Sequence, residues 1–549
     1  MRSYASQATM KIFLTTALLL VYRLCAAQIP GDLIEKKCDS IFNTYDGKPG
    51  LAVLIVQDGK IVFEKGYGLA NLEYNIPITP TTVFDIASCS KQFTGYAISA
   101  LIQQGNISPD DDIHKYLPDV PDFGKKITIR NLIHHTSGLR DWTEGLHDAG
   151  WRWQEAFTWE DVMRMVKQQK ELDFAPGTRY EYSNTGYNLL AAIVEKVTGK
   201  RLPTWIDENI FKPLQMNSSQ ELTDYSTVIK NVAGSYYSDT DGFHKSFDML
   251  TAWGSSCIFT TVEDLAKWVI AFKKGLDNKD PIYTRMIETD TLNNGEKNTY
   301  SYGNGVTDDQ GLMNIKHTGG WANFASVIST YPTEKISIIL LSNNGNFDYG
   351  SASKVARALF GSKFKQDSTS KPIDLASKPT VKVDASILQK YTNTYKLRDG
   401  WSVTFTLEDG KLMVQSTGEA KFLTAPKSDT VIWVPAYNSA FTFSDVTDRA
   451  NTVKYHNIIA KRTTPIKVQI SQYVGNYYSA ELETTYRVYT DKGKLMMHQM
   501  RLGDFELAPD LTTEGIFSGN VGKMFFEKDA QGKVTGFKLS GGRIRFEKV

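Results

Sequence analysis

The last third of the chain is written twice, and no other feature limits its fold so strongly. Tyr391 and Tyr395 recur as Tyr473 and Tyr477, and Gly410-Lys411-Leu412 recurs as Gly493-Lys494-Leu495. Phe422 through Pro426 recurs as Phe505 through Pro509, and Phe443 as Phe526, at an offset that stays between 82 and 83 residues. A constant offset means one structural unit used twice. Within each copy, short alternating runs such as Val403-Thr404-Phe405-Thr406-Leu407 stop at Asp-Gly or Lys-Gly turns, the pattern of antiparallel strands. Such a unit makes a small barrel or a strongly curved sheet. Two all-β domains are therefore predicted, at 383–465 and 466–549.

Ahead of the first copy, residues 366–382 are polar, rich in Ser and Thr, and carry two prolines, which reads as a linker. The stretch before it has a different character. Leu51 through Val56, the dipeptide Asp58-Gly59 and Ile61-Val62-Phe63 predict a β-hairpin. Helical periodicity follows at Phe93, Ala97, Ile98, Leu101 and Ile102, and again at Leu189, Leu190, Ile193, Val194 and Val197, with Gly199 as the stop. A second apolar run at Ile336 to Leu341, beside Ser329-Thr330-Tyr331, predicts buried strands. Strands at both ends of a helical middle argue an α+β domain over 28–365, an antiparallel sheet covered by helices.

Composition excludes several functions. Sixty-two basic against 61 acidic residues leave a net charge of +1, with no block of like charge, so neither nucleic acid nor an anionic membrane surface is called for. What remains is a small-molecule or peptide substrate. Arg2 and Lys11 precede the apolar run Ile12 to Tyr22, and Cys25-Ala26-Ala27 offers small residues for cleavage. Residues 1–27 thus predict a signal peptide, too short to span a bilayer, and an exported protein, periplasmic or extracellular, with no transmembrane segment after cleavage. Met10 can equally serve as the start, and Tyr22-Arg23-Leu24-Cys25 is a poor lipoprotein box. The remaining cysteines, Cys38, Cys89 and Cys257, allow one bridge at most and make no disulfide framework. No Cys or His pair has metal-ligand spacing, and no Gly-x-Ser-x-Gly elbow is present, so neither a metal centre nor an α/β-hydrolase is expected.

Three short motifs carry the chemistry. In Ser88-Cys89-Ser90-Lys91, which opens the first clear helix, positions i and i+3 share a face, so hydroxyl and amine can meet. A serine needs a base, and a desolvated lysine can lose its proton and act as one. Alone, the motif reads equally as an N-cap serine followed by a surface lysine. Tyr182-Ser183-Asn184 follows a Pro176-Gly177 turn and offers a phenol and an amide to a cleft, or turn chemistry with an aromatic plug. His317-Thr318-Gly319-Gly320 precedes a strand, and its glycines permit close approach of a substrate. An N–H there would complete an oxyanion hole with that of Ser88. Cys89 should point away from the nucleophile, and His135 and Arg140 read as architectural.

The order Ser-x-x-Lys, Tyr-x-Asn, His-Thr-Gly resembles the serine β-lactamase and penicillin-binding-protein family over about residues 40 to 360. Within it the likeness is to class C β-lactamases and their relatives, the D-aminopeptidases, family VIII esterases and D,D-peptidases. Phe84-Asp85-Ile86-Ala87, His135-Thr136-Ser137-Gly138-Leu139 and Pro176-Gly177-Thr178 support it. The two tail copies resemble the lipocalin-like domains that follow some bacterial serine hydrolases. The resemblance implies acylation of Ser88, with Lys91 and Tyr182 sharing proton transfer. It implies that Asn184 positions substrate, that Ser88 and Gly320 form the oxyanion hole, and that no cofactor is needed. Where β-lactamases of this kind carry Lys-Thr-Gly, this chain has His317-Thr318-Gly319, which weakens recognition of a penicillin carboxylate. A serine hydrolase acting on an ester, amide or peptide, or β-lactam bond is expected, with esterase or D-aminopeptidase/carboxypeptidase-like activity foremost. The alternative is an inactive protein of the same fold that binds a ligand through its tail domains.

Overall fold

The computed structural model describes residues 29–365, 375–539 and 543–549. The expected signal peptide and the first half of the linker lie outside the described residues. Among the described residues, no helix is long and apolar enough to cross a membrane.

A six-stranded antiparallel sheet organises the first domain. Its strands are β1 (Leu51–Gln57), β2 (Lys60–Tyr67), β3 (Gly305–Asp309), β4 (Leu312–Trp321), β5 (Phe324–Tyr331) and β6 (Ile336–Ser342), in the order β3-β4-β5-β6-β1-β2. The two ends of the domain thus meet at the β6–β1 pair, Leu51 opposite Ser342. The predicted hairpin joins β1 to β2, and positive φ at both Asp58 and Gly59 gives the turn that matches strand twist. β1 is buried throughout, because it divides its side chains between two cores. Ala52, Leu54 and Val56 face the helical lobe, whereas Leu51, Val53 and Ile55 face the opposite layer. Each fully buried Leu or Ile contributes about 1.5–3 kcal/mol, so this strand anchors both layers.

Helix α1 (Gly31–Phe42) covers the outer face and precedes the first helix legible in the sequence. It escapes notice because only Ile34, Cys38 and Phe42 are buried, a narrow i, i+4, i+8 stripe on an otherwise charged segment without a side-chain cap. The inner face shares a core with α2 (Lys91–Gln103), α4 (Asn184–Thr198) and α5 (Val262–Asp277), while α3 (Trp142–Asp148) packs in a separate cluster with Phe157 and Val162. Gly199 ends α4 in the left-handed conformation, φ 72°. Helix α6 (Ser351–Phe360) lies beside α1 on the outer face. Cys38, Cys89 and Cys257 are buried and unpaired, so the single bridge their number allowed does not form.

The duplication folds into a nine-stranded, nearly closed sheet and a closed eight-stranded barrel. In the first, the sheet runs from Lys421–Leu423 at one end to Ala425–Pro426 at the other, and only Thr424 separates those ends, so one kinked strand all but closes the ring. In the second, Gly475–Ser479 through Ile544–Lys548 close completely. The repeated tyrosines, with Phe443 and Phe526, lie in or against the two barrel cores, and the repeated Gly-Lys pairs form exposed turns. Tyr395 donates its hydroxyl to the Tyr391 carbonyl at 3.4 Å, and Tyr477 makes the same bond to Tyr473 at 2.6 Å. Tyr391 stacks on Phe443 at 4.0 Å, and Tyr473 meets Phe526 at 4.9 Å. Asp510 of the second barrel accepts from Ser402 and Thr417 of the first, which ties the two together.

Candidate active site

Ser88 stands at the tip of a strained turn. Phe84–Asp85 pairs with Ile258–Thr260 and delivers the chain to Ala87, whose φ of 45° lies in a region that a β-carbon disfavours. The Asp85 carboxylate accepts the Ala87 N–H at 2.8 Å and holds the turn. Ala87–Ser90 then forms one turn of 3-10 helix, and α2 begins at Lys91. Ser88 therefore lies just ahead of the α-helix rather than inside its first turn. The pairing survives because side chains at i and i+3 eclipse in a 3-10 turn. Lys91 Nζ lies 3.1 Å from Ser88 Oγ.

Lys91 is wholly buried, and its ammonium donates to three acceptors: Ser88 Oγ, Asn184 Oδ1 at 2.7 Å and the Ser255 carbonyl at 2.7 Å. The Tyr182 ring lies 4.9 Å away. Loss of hydration pulls the lysine down to about 7, against the opposing pull of Asp141. A neutral amine is thus available at neutral pH, aimed at a serine hydroxyl.

Two elements bring Tyr182 and Asn184 to this amine. The Ser183 N–H donates to His135 Nδ1 at 3.1 Å, and the His135 ring packs on Tyr182 at 4.3 Å, so His135 is a support for the tyrosine. Burial pushes the Tyr182 phenol well above its usual range, with contact to Ser88 working the other way. Tyr182 keeps its proton at neutral pH. Asn184 opens α4 and spans from Lys91 to Asp141, donating to the latter at 2.9 Å. Asp141, the N-cap of α3, had no place among the residues read from the sequence. A capping aspartate was legible there; its link to a lysine 50 residues away was not.

The third motif lies along the end of β4. A β-carbon on Gly319 would sit 2.2 Å from the Ile86 carbonyl oxygen and 2.9 Å from Ser88 N, so only glycine lets the strand touch the Ser88 turn. A β-carbon on Gly320 would meet the Tyr349 hydroxyl at 2.5 Å. Cys89 turns away from the cleft and donates to the His317 carbonyl at 3.4 Å, and burial raises its thiol to about 12. His317 Nδ1 lies 2.6 Å from the Thr318 carbonyl, which can only accept, so that nitrogen carries the proton. Burial lowers the ring to about 3 and keeps it neutral, so Nε2, 2.8 Å from the Tyr300 hydroxyl, accepts. Ser88, Tyr182, His317, Thr318, Gly319 and Gly320 share one small pocket. Beside it opens a cavity of about 860 Å³ walled by Trp142, Trp153, Tyr237, Trp321, Phe324 and Tyr349. No Asp, Glu, Lys or Arg lines either space among the described residues.

A serine, a buried lysine, a phenol and a glycine strand edge, set between a helical lobe and an antiparallel sheet, define a serine hydrolase of the β-lactamase and penicillin-binding-protein fold. The sequence profile of the beta-lactamase family matches residues 38–360, and the chain belongs to that family. It is 27% identical over 445 residues to penicillin-binding protein 4* of Bacillus subtilis (strain 168), covering 76% of this chain and 95% of that protein. Among solved structures, the octameric penicillin-binding protein homologue from Pyrococcus abyssi superposes with a TM-score of 0.55 at 22% identity, over 86% of this chain and 98% of that one. EstCE1, a hydrolase with promiscuous acyltransferase activity, matches 61% of this chain and all of its own at TM-score 0.52 and 21% identity.

Proposed function

We propose that the protein hydrolyses uncharged esters or amides with a bulky aromatic or apolar acyl group, through an acyl-enzyme on Ser88. The observation that carries this reading is the contact of buried Lys91 with Ser88 beside a cleft that holds no fixed charge. Neutral Lys91 takes the Ser88 proton as Oγ bonds to the substrate carbonyl carbon. The oxyanion faces the N–H groups of Ser88 and Gly320, the carbon–leaving-group bond breaks, and protonated Tyr182 supplies the leaving group with its proton, replaced from Lys91. Water then attacks the acyl carbon, gives up its proton to the same pair, and restores Ser88.

Neutral His317 supports a preference against carboxylates, because the position that would hold a penicillin carboxylate carries no charge. The test compares 4-nitrophenyl esters of 3-phenylpropionate and of succinate. The aromatic ester should show a kcat/KM at least about tenfold higher. Equal rates, or a faster succinate ester, would overturn the substrate class.

A further inference from the structure

The second barrel grips the segment that walls the cleft. Ala149 and Trp151 pack into one cluster with the barrel's own core. Tyr486 donates to the Asp148 carbonyl at 3.0 Å, and Gln499 donates to the Ala149 carbonyl at 3.1 Å. Gly150, at φ 90°, is the residue over which Gln499 closes: a β-carbon there would lie 2.4 Å from the glutamine side chain. Arg501 places its guanidinium 4.2 Å from the centre of the Trp151 ring and pairs with Glu155. Trp151 and Glu155 bracket Trp153 and Gln154, both of which line the cleft. Trp153 meets Trp321 at 5.8 Å, so the clamped segment and the strand edge form one aromatic wall.

The same barrel reaches the catalytic loop. Arg543 pairs with Glu181, beside Tyr182, and with Glu144 at 2.8 Å. Glu481 joins Asp173 around buried Arg140, next to Asp141.

We infer that the second barrel is a built-in part of the active site, with Arg501 a positioning residue that sets selectivity for large acyl groups by holding the Trp153 wall. This rests on the Ser88 reading above. Arg501 does not line the cleft; it acts through Trp151 and Glu155. Side-chain exposure of 35% makes Arg501 replaceable without disturbing the core.

The experiment uses the full chain as parent, Arg501→Ala and Arg501→Lys. Each is assayed with 4-nitrophenyl acetate and 4-nitrophenyl 3-phenylpropionate, and each is labelled by a small ethyl fluorophosphonate. In Arg501→Ala, KM for the aromatic ester should rise about tenfold with kcat held, while acetate hydrolysis and labelling stay within about twofold of the parent. Arg501→Lys, which keeps the charge over the ring, should recover most of the difference. Selectivity unchanged from the parent, or equal loss on both esters, overturns the proposal. A parent that takes no label overturns the Ser88 reading and this proposal with it.

Discussion

Asp141→Asn tests the electrostatics of the site with little change in shape. The asparagine oxygen can still accept from Asn184 Nδ2, as the carboxylate does at 2.9 Å, so the bridge to Lys91 is retained, while the charge and the cap to the Thr143 N–H at 3.1 Å are lost. The two hydrogen bonds and the amide between them put the carboxylate about 7 Å from the ammonium. At an effective dielectric of about 20 that pair is worth about 2 kcal/mol, or between one and two pKa units. The sign follows from the lysine being the charged form that Asp141 favours: without the carboxylate, Lys91 falls further below about 7. Acylation needs the neutral amine, so kcat/KM of the parent should rise with pH and reach half its plateau near pH 7. At pH 6 it should stand at about one-tenth of the plateau. In Asp141→Asn the same limb should lie between one and two units lower, which makes the variant relatively faster at pH 5.5. The assay is kcat/KM for a neutral aromatic ester from pH 4.5 to 9. An acid limb that stays in place or moves to higher pH would refute the assignment of Lys91 as the titrating base under the influence of Asp141.

Tyr182→Phe keeps the ring on His135 and loses the phenol, and kcat should fall about 10²- to 10⁴-fold with unchanged melting behaviour. His317→Lys places a cation where the ring is now neutral; penicillin acylation, followed by intact mass, should become faster, and the acid limb should move to lower pH through like-charge repulsion with Lys91. Gly319→Ala would force a β-carbon to 2.2 Å from the Ile86 carbonyl oxygen. A destabilisation of about 1–3 kcal/mol in urea titration and loss of most turnover are expected, because the shift moves Ser88 N.

Local chemistry was legible in the sequence, and long-range chemistry was not. Ser88 and Lys91 sit three residues apart, so turn geometry alone brings them together whether the turn is α or 3-10. The duplicated tyrosines and phenylalanines announced the barrels because each copy repeats its own core contacts. The Ser255 carbonyl that completes the Lys91 shell comes from 164 residues away and carries no side-chain signature. Asp141 shows as a helix cap, and nothing in its neighbourhood points to α4. Docking of the second barrel depends on pairs such as Arg140 with Glu481: Arg140 reads as architectural, but nothing in the sequence joins it to that glutamate until the fold buries both. The aromatic wall is scattered over Trp142, Trp153 and Trp321, with no period to join them. The histidine at 317 was legible as a weaker carboxylate site than lysine, whereas the burial that keeps its ring neutral appears only in the fold.

Every step above turns on Ser88 acting as the nucleophile, which a fluorophosphonate reports by phosphonylating its Oγ with loss of fluoride. Intact mass spectrometry of the full chain treated with a fluorophosphonate, beside Ser88→Ala under the same conditions, tests it most directly. One adduct per parent chain and none on the variant are expected, with circular dichroism of the two superimposable. An adduct retained on Ser88→Ala, or a folded parent that takes no label, would contradict it.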